Sequence, residues 1–436
     1  MKMLNLESFY ENLKKWNLVS KKDKIVVAVS GGVDSLTLLY LLYSLRRELD
    51  IELISATLNH GIRENAQRDV QHVIDFSKKL GIRCITGKVD TLKYSSENKL
   101  SIEESARILR YRFLEKVLKR TGFNKLAVAH NLNDLVENVL FRLSRGSGPF
   151  GLPGMKPKNG NIIRPLLFYS KDQILDFALK NNIEYVVDET NLETVYTRNF
   201  IRHKIIPLFK RLNPNFETSV MRFVENVWEL DNFIEKQLNV RIFNLRGRLY
   251  FEIPKDIFLL IELVRRLTIK LKGKAPDKEK LDRIKKVINN KSTFKVNFWD
   301  NFGVEISYGK VLLGEFLPNE NFEYIIRNDE TINLDPFVVK IENNGIIINK
   351  NKLKGDLILR NWRNGDRIYN GKKLKEIFVD KKIPSFIRRI VPIFCDKEEI
   401  IYIPKIYLNK NYVRENPNNK NNIIGINVQL KGGFSF

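Results

Sequence analysis

Residues 30–35 read Ser30-Gly31-Gly32-Val33-Asp34-Ser35, types and spacing that can hold a phosphate. Two glycines let an anion approach backbone N–H groups, two hydroxyls add donors, and one carboxylate stands among them. A β-branched run (Ile25, Val26, Val27, Val29) precedes the hexapeptide, and a leucine-rich stretch, Leu36 to Leu45, follows it. Strand, glycine turn and helix N-terminus make an anion cradle, with the positive end of the helix dipole aimed at the turn. The Walker lysine is absent, so the loop is not GxxxxGK[ST]. The plainer alternative is a glycine turn with Asp34 as a helix cap.

A second constellation lies at Lys125–Glu137, KLAVAHNLNDLVE. The apolar run ends at His130, and helical spacing puts His130, Asp134 and Glu137 on one face, with Asn133 beside them and Arg145 further along. Two carboxylates at the carboxyl end of a parallel strand suit a magnesium ion or an ammonium group, because that edge is where such sheets bind ligands. A solvated helix face with polar pairs is the alternative. Further on, Arg198, Asn199 and Arg202 stand at offsets suited to phosphate or a nucleotide base. In the tail, Lys372, Lys373, Lys375, Lys381, Lys382, Arg388 and Arg389 crowd into a short stretch, with Phe378 and Phe386 interleaved. That pattern reads as a surface for an RNA backbone, or as the basic face of a small β domain.

The elements that must position these residues alternate. Strand patterns occur at Lys24–Val29, Glu52–Leu58, Ile82–Lys88 and Lys125–His130, with helical stretches such as Arg63–Leu80 and Ile102–Arg120 between them. Alternation of this kind predicts an α/β fold, a parallel sheet wrapped by helices. Residues 145–161 hold five glycines and three prolines, which argue for a long binding loop without regular structure. Asn213-Pro214-Asn215 marks a boundary. The organisation expected is a catalytic domain at 1–215, a mainly helical domain at 216–345 with short alternating runs from about Asn301, and a small mixed α/β domain at 351–436.

The chain has 436 residues and a net charge of +24. The charge falls in two basic regions: residues 1–300 carry +18 and residues 351–436 carry +10, while 301–350 carry −4. A polyanion touched at both ends, such as a folded RNA, fits that distribution; a generally lysine-rich surface is the alternative. No apolar run reaches the ~18 residues of a membrane span, and the first residues read as an amphipathic helix rather than a signal peptide. Two distant cysteines, Cys84 and Cys395, exclude a CxxC zinc or redox pair and point to a reducing cytoplasm.

The strings VAVSGGVDS, LNHGIR (58–63), AHNLNDLVENVLFRLSRGSGPFGLPGM (129–155), IRPLL (163–167) and DETNLETVYTRNFIRHKIIP (188–207) resemble, in order and spacing, the tRNA(Ile)-lysidine synthases, members of the PP-loop ATP pyrophosphatases. LRNWRNGDRIYNGKKLKEIFVDKKIPSFIRRIVPIF (359–394) is similar to that family's C-terminal domain. Where the family often carries two adjacent acids, this chain has Asn133-Asp134.

The resemblance implies an adenine nucleotide alpha hydrolase-like fold and a ligase using ATP and Mg2+. Its substrates would be L-lysine and the isoleucine tRNA with a CAU anticodon. Ser30, Gly31, Gly32, Val33, Asp34 and Ser35 would hold the pyrophosphate of ATP, Asp34 would position the metal, and Asn59 and His60 would sit by the adenine. Asp134 and Glu137 would hold the lysine and accept its proton, and His130 and Asp34 would be further catalytic residues. Arg145, Arg198, Asn199, Arg202, Arg363, Lys373, Lys375 and Arg388 would contact tRNA. Protein partners stay open, a homodimer among them. Competing readings are a tRNA thiolase, which needs reactive cysteines, a glutamine-dependent ligase, which needs a second nucleophilic domain, and a non-catalytic ATP-dependent tRNA-binding protein.

Overall fold

The computed structural model describes residues 3–62, 66–186, 197–288, 293–318, 320–342, 345–413 and 423–431, which form two compact units, Met1–Phe233 and Ile234–Phe436. Two expectations therefore fall in part outside the described residues: the start of the 63–80 helix and the first nine residues of the 188–207 string.

In the first unit the elements run α1 (Leu6–Lys15), β1 (Lys24–Ala28), α2 (Val33–Leu49), β2 (Glu52–Asn59), α3 (Ala66–Lys79), β3 (Cys84–Lys88), α4 (Thr91–Asn98), α5 (Ile102–Thr121), β4 (Lys125–Ala127) and α6 (Leu132–Ser144). They continue with β5 (Lys158–Asn159), β6 (Ile162–Ile163), α7 (Lys171–Lys180), α8 (Thr197–Phe200), a π turn at Ile201–Ile205, α9 (Ile206–Leu212) and α10 (Phe216–Gln237). The sheet order is β3-β2-β1-β4-β6-β5, parallel except for the β5–β6 hairpin. That hairpin is a small correction: the glycine-rich stretch regains two paired residues once its last proline, Pro157, is passed.

β1 is the pivot. Ile25, Val26 and Val27 are fully buried, Ile25 and Val27 in the larger core with α2 and α6, Val26 in a second core with α5 on the other face. Burial on both faces is why its sequence is an unbroken β-branched run rather than an alternation. The chain leaves β1 toward β2 on one side and returns to β4 on the other, so the crevice beyond β1 and β4 is the switch point at which such sheets bind ligands.

A buried ion pair anchors this centre from the opposite edge. Lys125, which opens β4, meets Asp23, just before β1, at 2.6 Å, with residue exposures of 7% and 6%. Lys125 also donates to the Leu18 carbonyl, and Asp23 accepts from Ser20 N and Asn124 Nδ2. Those bonds outweigh the desolvation of Asp23 and hold its carboxyl below its ordinary value.

The second unit opens with β7 (Phe243–Leu245), β8 (Arg248–Glu252), α11 (Ile257–Lys272), α12 (Lys278–Ile288), β9 (Thr293–Trp299), β10 (Phe302–Ser307) and β11 (Lys310–Glu315). Helices dominate 216–288 as expected, but β7–β11 form a five-stranded antiparallel sheet in the order β7-β8-β11-β10-β9. The alternating burial of Thr293–Trp299 is the strand period that the lysine-rich helices before it obscured.

Beyond the sheet, one core holds Tyr250 and Leu312 together with Leu359, Phe386 and Ile403, so packing does not break near residue 350. Glu305 of β10, 1% exposed, accepts from Ser385 Oγ at 2.6 Å and pairs with Arg389 and with Lys295. A buried carboxylate bound by residues from both parts makes the tail and the sheet one body.

Breaking a buried pair leaves an uncompensated charge, at a cost of about 3–5 kcal/mol. Lys125→Met should lower stability by that order and speed hydrogen exchange at the β1 and β4 amides. Unchanged exchange there would mean that the pair does not hold the central strands together.

Candidate functional site

Ser30 to Ser35 bridge the end of β1 and the start of α2. Gly31 has φ +89°, a region that side chains rarely adopt, and its carbonyl accepts from Val186 N at 3.0 Å. Gly32 is the N-cap of α2 and supplies no side-chain cap, unlike Asn5, Ser101, Asn131 and Ser170 at other helices. Ser35 Oγ accepts from Ser30 N at 3.1 Å, lies 3.3 Å from Ser30 Oγ and donates to the Gly32 carbonyl at 2.9 Å. The hydroxyls thus close the turn on itself and leave the front of the loop to a ligand.

A cavity of about 680 Å³ opens over this loop. Ser30, Gly32, Asp34 and Ser35 form its polar end, and Ala56, Leu58, Phe113 and Val128 form an apolar wall. Asn59 and His60, at the end of β2, line it as expected. Asn59 Oδ1 accepts from Gly61 N at 2.9 Å, which fixes that turn. His60 is held below its ordinary value by burial and by Arg110. A flat apolar body with an anionic tail fits this division of the walls.

Asp34 carries two different oxygens. Oδ2 accepts from Lys171 Nζ at 2.7 Å, while Oδ1 is buried without a hydrogen-bond partner among the described residues. An orphaned buried carboxylate oxygen beside a phosphate cradle fits a hard divalent cation. Among the described residues no group of three or more His, Cys, Asp or Glu gathers as a metal centre. A cation here would therefore be shared between Asp34 and the phosphates.

The expected helix face is corrected at one position. Asn131 caps α6: its Oδ1 accepts from Asp134 N at 3.1 Å, and Asp134 Oδ2 accepts from Asn131 N at 3.0 Å. His130 therefore lies in the turn before the helix rather than on it, and lines the cavity. Its Nδ1 accepts from Arg164 Nε at 3.3 Å. Burial, then Arg164, Arg110, Arg107 and Arg198, push its value down to about 3, so it is a neutral imidazole at working pH.

Asp134 stands in the first turn of α6 and Glu137 in the second, both outside the cavity wall. Glu137, 6% exposed, receives a bidentate bond from Arg202, Nε to Oε1 at 2.5 Å and Nη2 to Oε2 at 3.1 Å. Arg202 also lies 3.6 Å from Asp134 Oδ1. Asp134 is pushed up to about 6, first by burial, then by the like charges of Glu137 and Asp34, with Asn131 N–H and Arg202 opposing. The site thus holds a carboxylate whose basicity lies near neutral pH and another locked to an arginine.

Arg198 and Arg202 lie on one continuous helix that passes from α8 into the π turn, and both reach α6 one turn apart, Arg202 at Glu137 and Arg198 at the ring of Phe141. Arg198 also pairs with Glu103 at 3.1 Å, and Arg145 stands over the same Phe141 ring. Asn199 lies beside it on α8.

In the second unit Lys373, Lys375, Lys381 and Lys382 are exposed around the helix α13 (Leu374–Asp380), whereas Arg363 pairs with Glu323 at 2.5 Å. Arg388 is drawn inward: its Nε donates to the Ile383 carbonyl at 2.8 Å. Phe378 and Phe386 are fully buried, so they belong to the core and not to an RNA surface. Their apolar spacing looks alike in either role, which is why the pattern misled.

Sequence reasoning missed Lys171, Arg110, Arg107 and Arg164. Arg164 stood inside the IRPLL string without a role given to it, and Lys171 follows four residues after that string. The cysteines do not support sulfur chemistry: burial raises both thiols, and they belong to different units. Among the described residues no helix is long and apolar enough to cross a membrane.

Residues 4–209 match the family described as a PP-loop domain, and residues 357–424 match the TilS substrate C-terminal domain. A tRNA(Ile)-lysidine synthase of Thermosipho africanus is 52% identical, over 99% of this chain and 99% of that protein. Those of Thermotoga maritima and Clostridioides difficile are 37% and 32% identical, over 89% and 92% of this chain and 92% and 94% of theirs.

Proposed function

Because the chain belongs to the tRNA(Ile)-lysidine synthase family, we propose that it joins L-lysine to C2 of the wobble cytidine in the CAU-anticodon isoleucine tRNA. It consumes ATP, releases AMP and pyrophosphate, and changes codon reading from AUG to AUA. The observation that carries this reading is the neighbourhood of two differently built sites at one sheet edge. One is a phosphate cradle with a free carboxylate oxygen, and the other is a near-neutral carboxylate beside an arginine-locked one.

In the first step the C2 oxygen of the cytosine attacks the α-phosphorus of ATP. An O–P bond forms, the bond to the β-phosphate oxygen breaks, and pyrophosphate leaves. The α2 N-terminus with Ser30, Gly31, Gly32, Val33 and Ser35 holds the departing pyrophosphate. Asp34 Oδ1 would hold Mg2+, which when bound would offset charge on the phosphates. Ala56 and Leu58, with Asn59 and His60, face the adenine. Arg107, Arg110 and Arg164 make the surroundings of His130 positive enough to accept polyanions.

In the second step the ε-amine of lysine attacks C2, the C2–O bond breaks and AMP departs. The lysine enters as an ammonium and must lose a proton. Asp134 is the acceptor, and Glu137 acts by fixing Arg202 next to it. The exposed lysines around α13 grip tRNA phosphates away from the anticodon, and the cytoplasm is the compartment for such a partner.

The direct test is incubation with ATP, the isoleucine tRNA transcript and single amino acids. AMP release should require lysine, yield lysidine by nucleoside mass spectrometry, and vanish in Asp34→Ala while tRNA binding persists. AMP release independent of lysine would overturn the assignment.

Asp134→Asn should slow lysine transfer by about 100-fold or more and let adenylated tRNA accumulate. A raised carboxyl keeps its proton to higher pH, so the base form appears as pH climbs through about 6. Wild-type transfer should rise across that window and the Asn variant should not. Failure of adenylation first would assign Asp134 to ATP.

Replacing Lys373, Lys375, Lys381 and Lys382 with alanine should flatten the salt dependence of tRNA binding by about 0.7–0.9 log units per lost phosphate contact. An anticodon stem-loop should lose little. Equal losses for stem-loop and full tRNA would mean that the patch acts on the catalytic unit instead.

A further inference from the structure

The loop that would hold pyrophosphate contains no cation of its own: the lysine of a Walker loop is missing and only Asp34 is charged. A tetra-anionic leaving group held by one divalent ion and N–H groups is under-neutralised. Lys171 stands close by with its charge engaged elsewhere. Its Nζ is 2.7 Å from Asp34 Oδ2, its side chain is 39% exposed, and it lines the same cavity as Ser30 and Ser35.

The anchoring of Lys171 is in its backbone, not its side chain. It is the first residue of α7, whose start is fixed by a reciprocal capping box between Ser170 and Gln173. Its N–H donates to Asn133 Oδ1 at 2.9 Å, which ties it to the first turn of α6. A rigid Cα with a half-exposed four-carbon stem can swing its ammonium through several ångströms at little cost.

From this geometry we propose that Lys171 is a pyrophosphate-binding residue held in reserve. In the nucleotide-free protein its ammonium neutralises Asp34. When ATP brings a divalent cation to Asp34, the ammonium transfers to the β- and γ-phosphates. Asp34 cannot keep both cations close without mutual repulsion, and the doubly charged ion displaces the singly charged one. The exchange keeps Asp34 neutralised throughout and frees one further positive charge for the place where the leaving group forms. When the pyrophosphate departs with its metal, Lys171 returns to Asp34. Asn133, where the family often has an acid, supplies the neutral acceptor that holds the pivot.

The inference rests on the ATP reading of the loop, and one experiment separates the two. The full-length wild type, Lys171→Met and Lys171→Arg are titrated with Mn2+ alone, with inorganic pyrophosphate plus Mn2+, and with ATP plus Mn2+. Free-metal signal and calorimetry give the readout, and thermal unfolding checks the fold. Removing the competing ammonium should tighten binding of Mn2+ alone by several-fold. Pyrophosphate–Mn2+ and ATP–Mn2+ affinities should fall by about tenfold or more. Lys171→Arg should recover most of the polyphosphate affinity. Opposite signs for metal and polyphosphate are what a merely structural residue cannot produce. Losses of the same sign, or an unchanged pyrophosphate affinity in Lys171→Met, overturn the proposal. If the wild type itself binds no ATP–Mn2+, the ATP reading of the loop fails instead.

Discussion

Negative charge gathered at the carboxyl edge of a parallel sheet has to be neutralised from within the fold, and most of the site follows from that need. Asp34, Asp134 and Glu137 come close enough for Asp34 and Glu137 to raise Asp134. Each is met differently: Asp34 by a mobile lysine, Glu137 by a bidentate arginine, Asp134 by a backbone N–H and a more distant arginine. The differences set the chemistry. A carboxylate locked to an arginine suits a structural role, one with a free buried oxygen suits a cation ligand, and one with a raised value suits a proton acceptor.

The scaffold makes that concentration tolerable. β1 is buried on both faces, and α2 behind it buries ten of its seventeen residues, most of them leucines, which holds the loop between them in place. The Asp23–Lys125 pair secures the far ends of β1 and β4, the two strands whose near ends carry the loop and His130. A π turn then carries Arg202 onto Glu137 while Arg198 packs over Phe141 one turn further along α6, a use of that rare geometry which recurs at functional sites.

The phosphate loop, the parallel sheet and the carboxylates of α6 were legible in the sequence because each is local: a strand ends, glycines follow, and a helix with a set period begins. What stayed hidden depends on contacts distant in the chain. Lys171 is far in sequence from Asp34 and reads alone as an ordinary helix-start lysine. Arg202 as the partner of Glu137 required knowing that the helix carrying it packs against α6, 65 residues earlier in the chain. In the tail, basic residues and aromatics at mixed spacing looked like one surface, but Phe378 and Phe386 point into the core and Arg388 bonds the backbone. Strands β9–β11 were under-read because their alternation follows two long lysine-rich helices, and β7 and β8 because they are short runs between helices.

The central claim is that the two halves of the reaction use separate carboxylates, with Asp34 given to the nucleotide. A crystal structure with an α,β-nonhydrolysable ATP analogue and Mn2+, read by the anomalous signal of manganese, tests it most directly. The account predicts the triphosphate over Ser30–Ser35, manganese bonded to Asp34 Oδ1, adenine against Ala56 and Leu58, and Asp134 and Glu137 free of metal. Manganese on Asp134 or Glu137, or a triphosphate seated away from the α2 N-terminus, would contradict it.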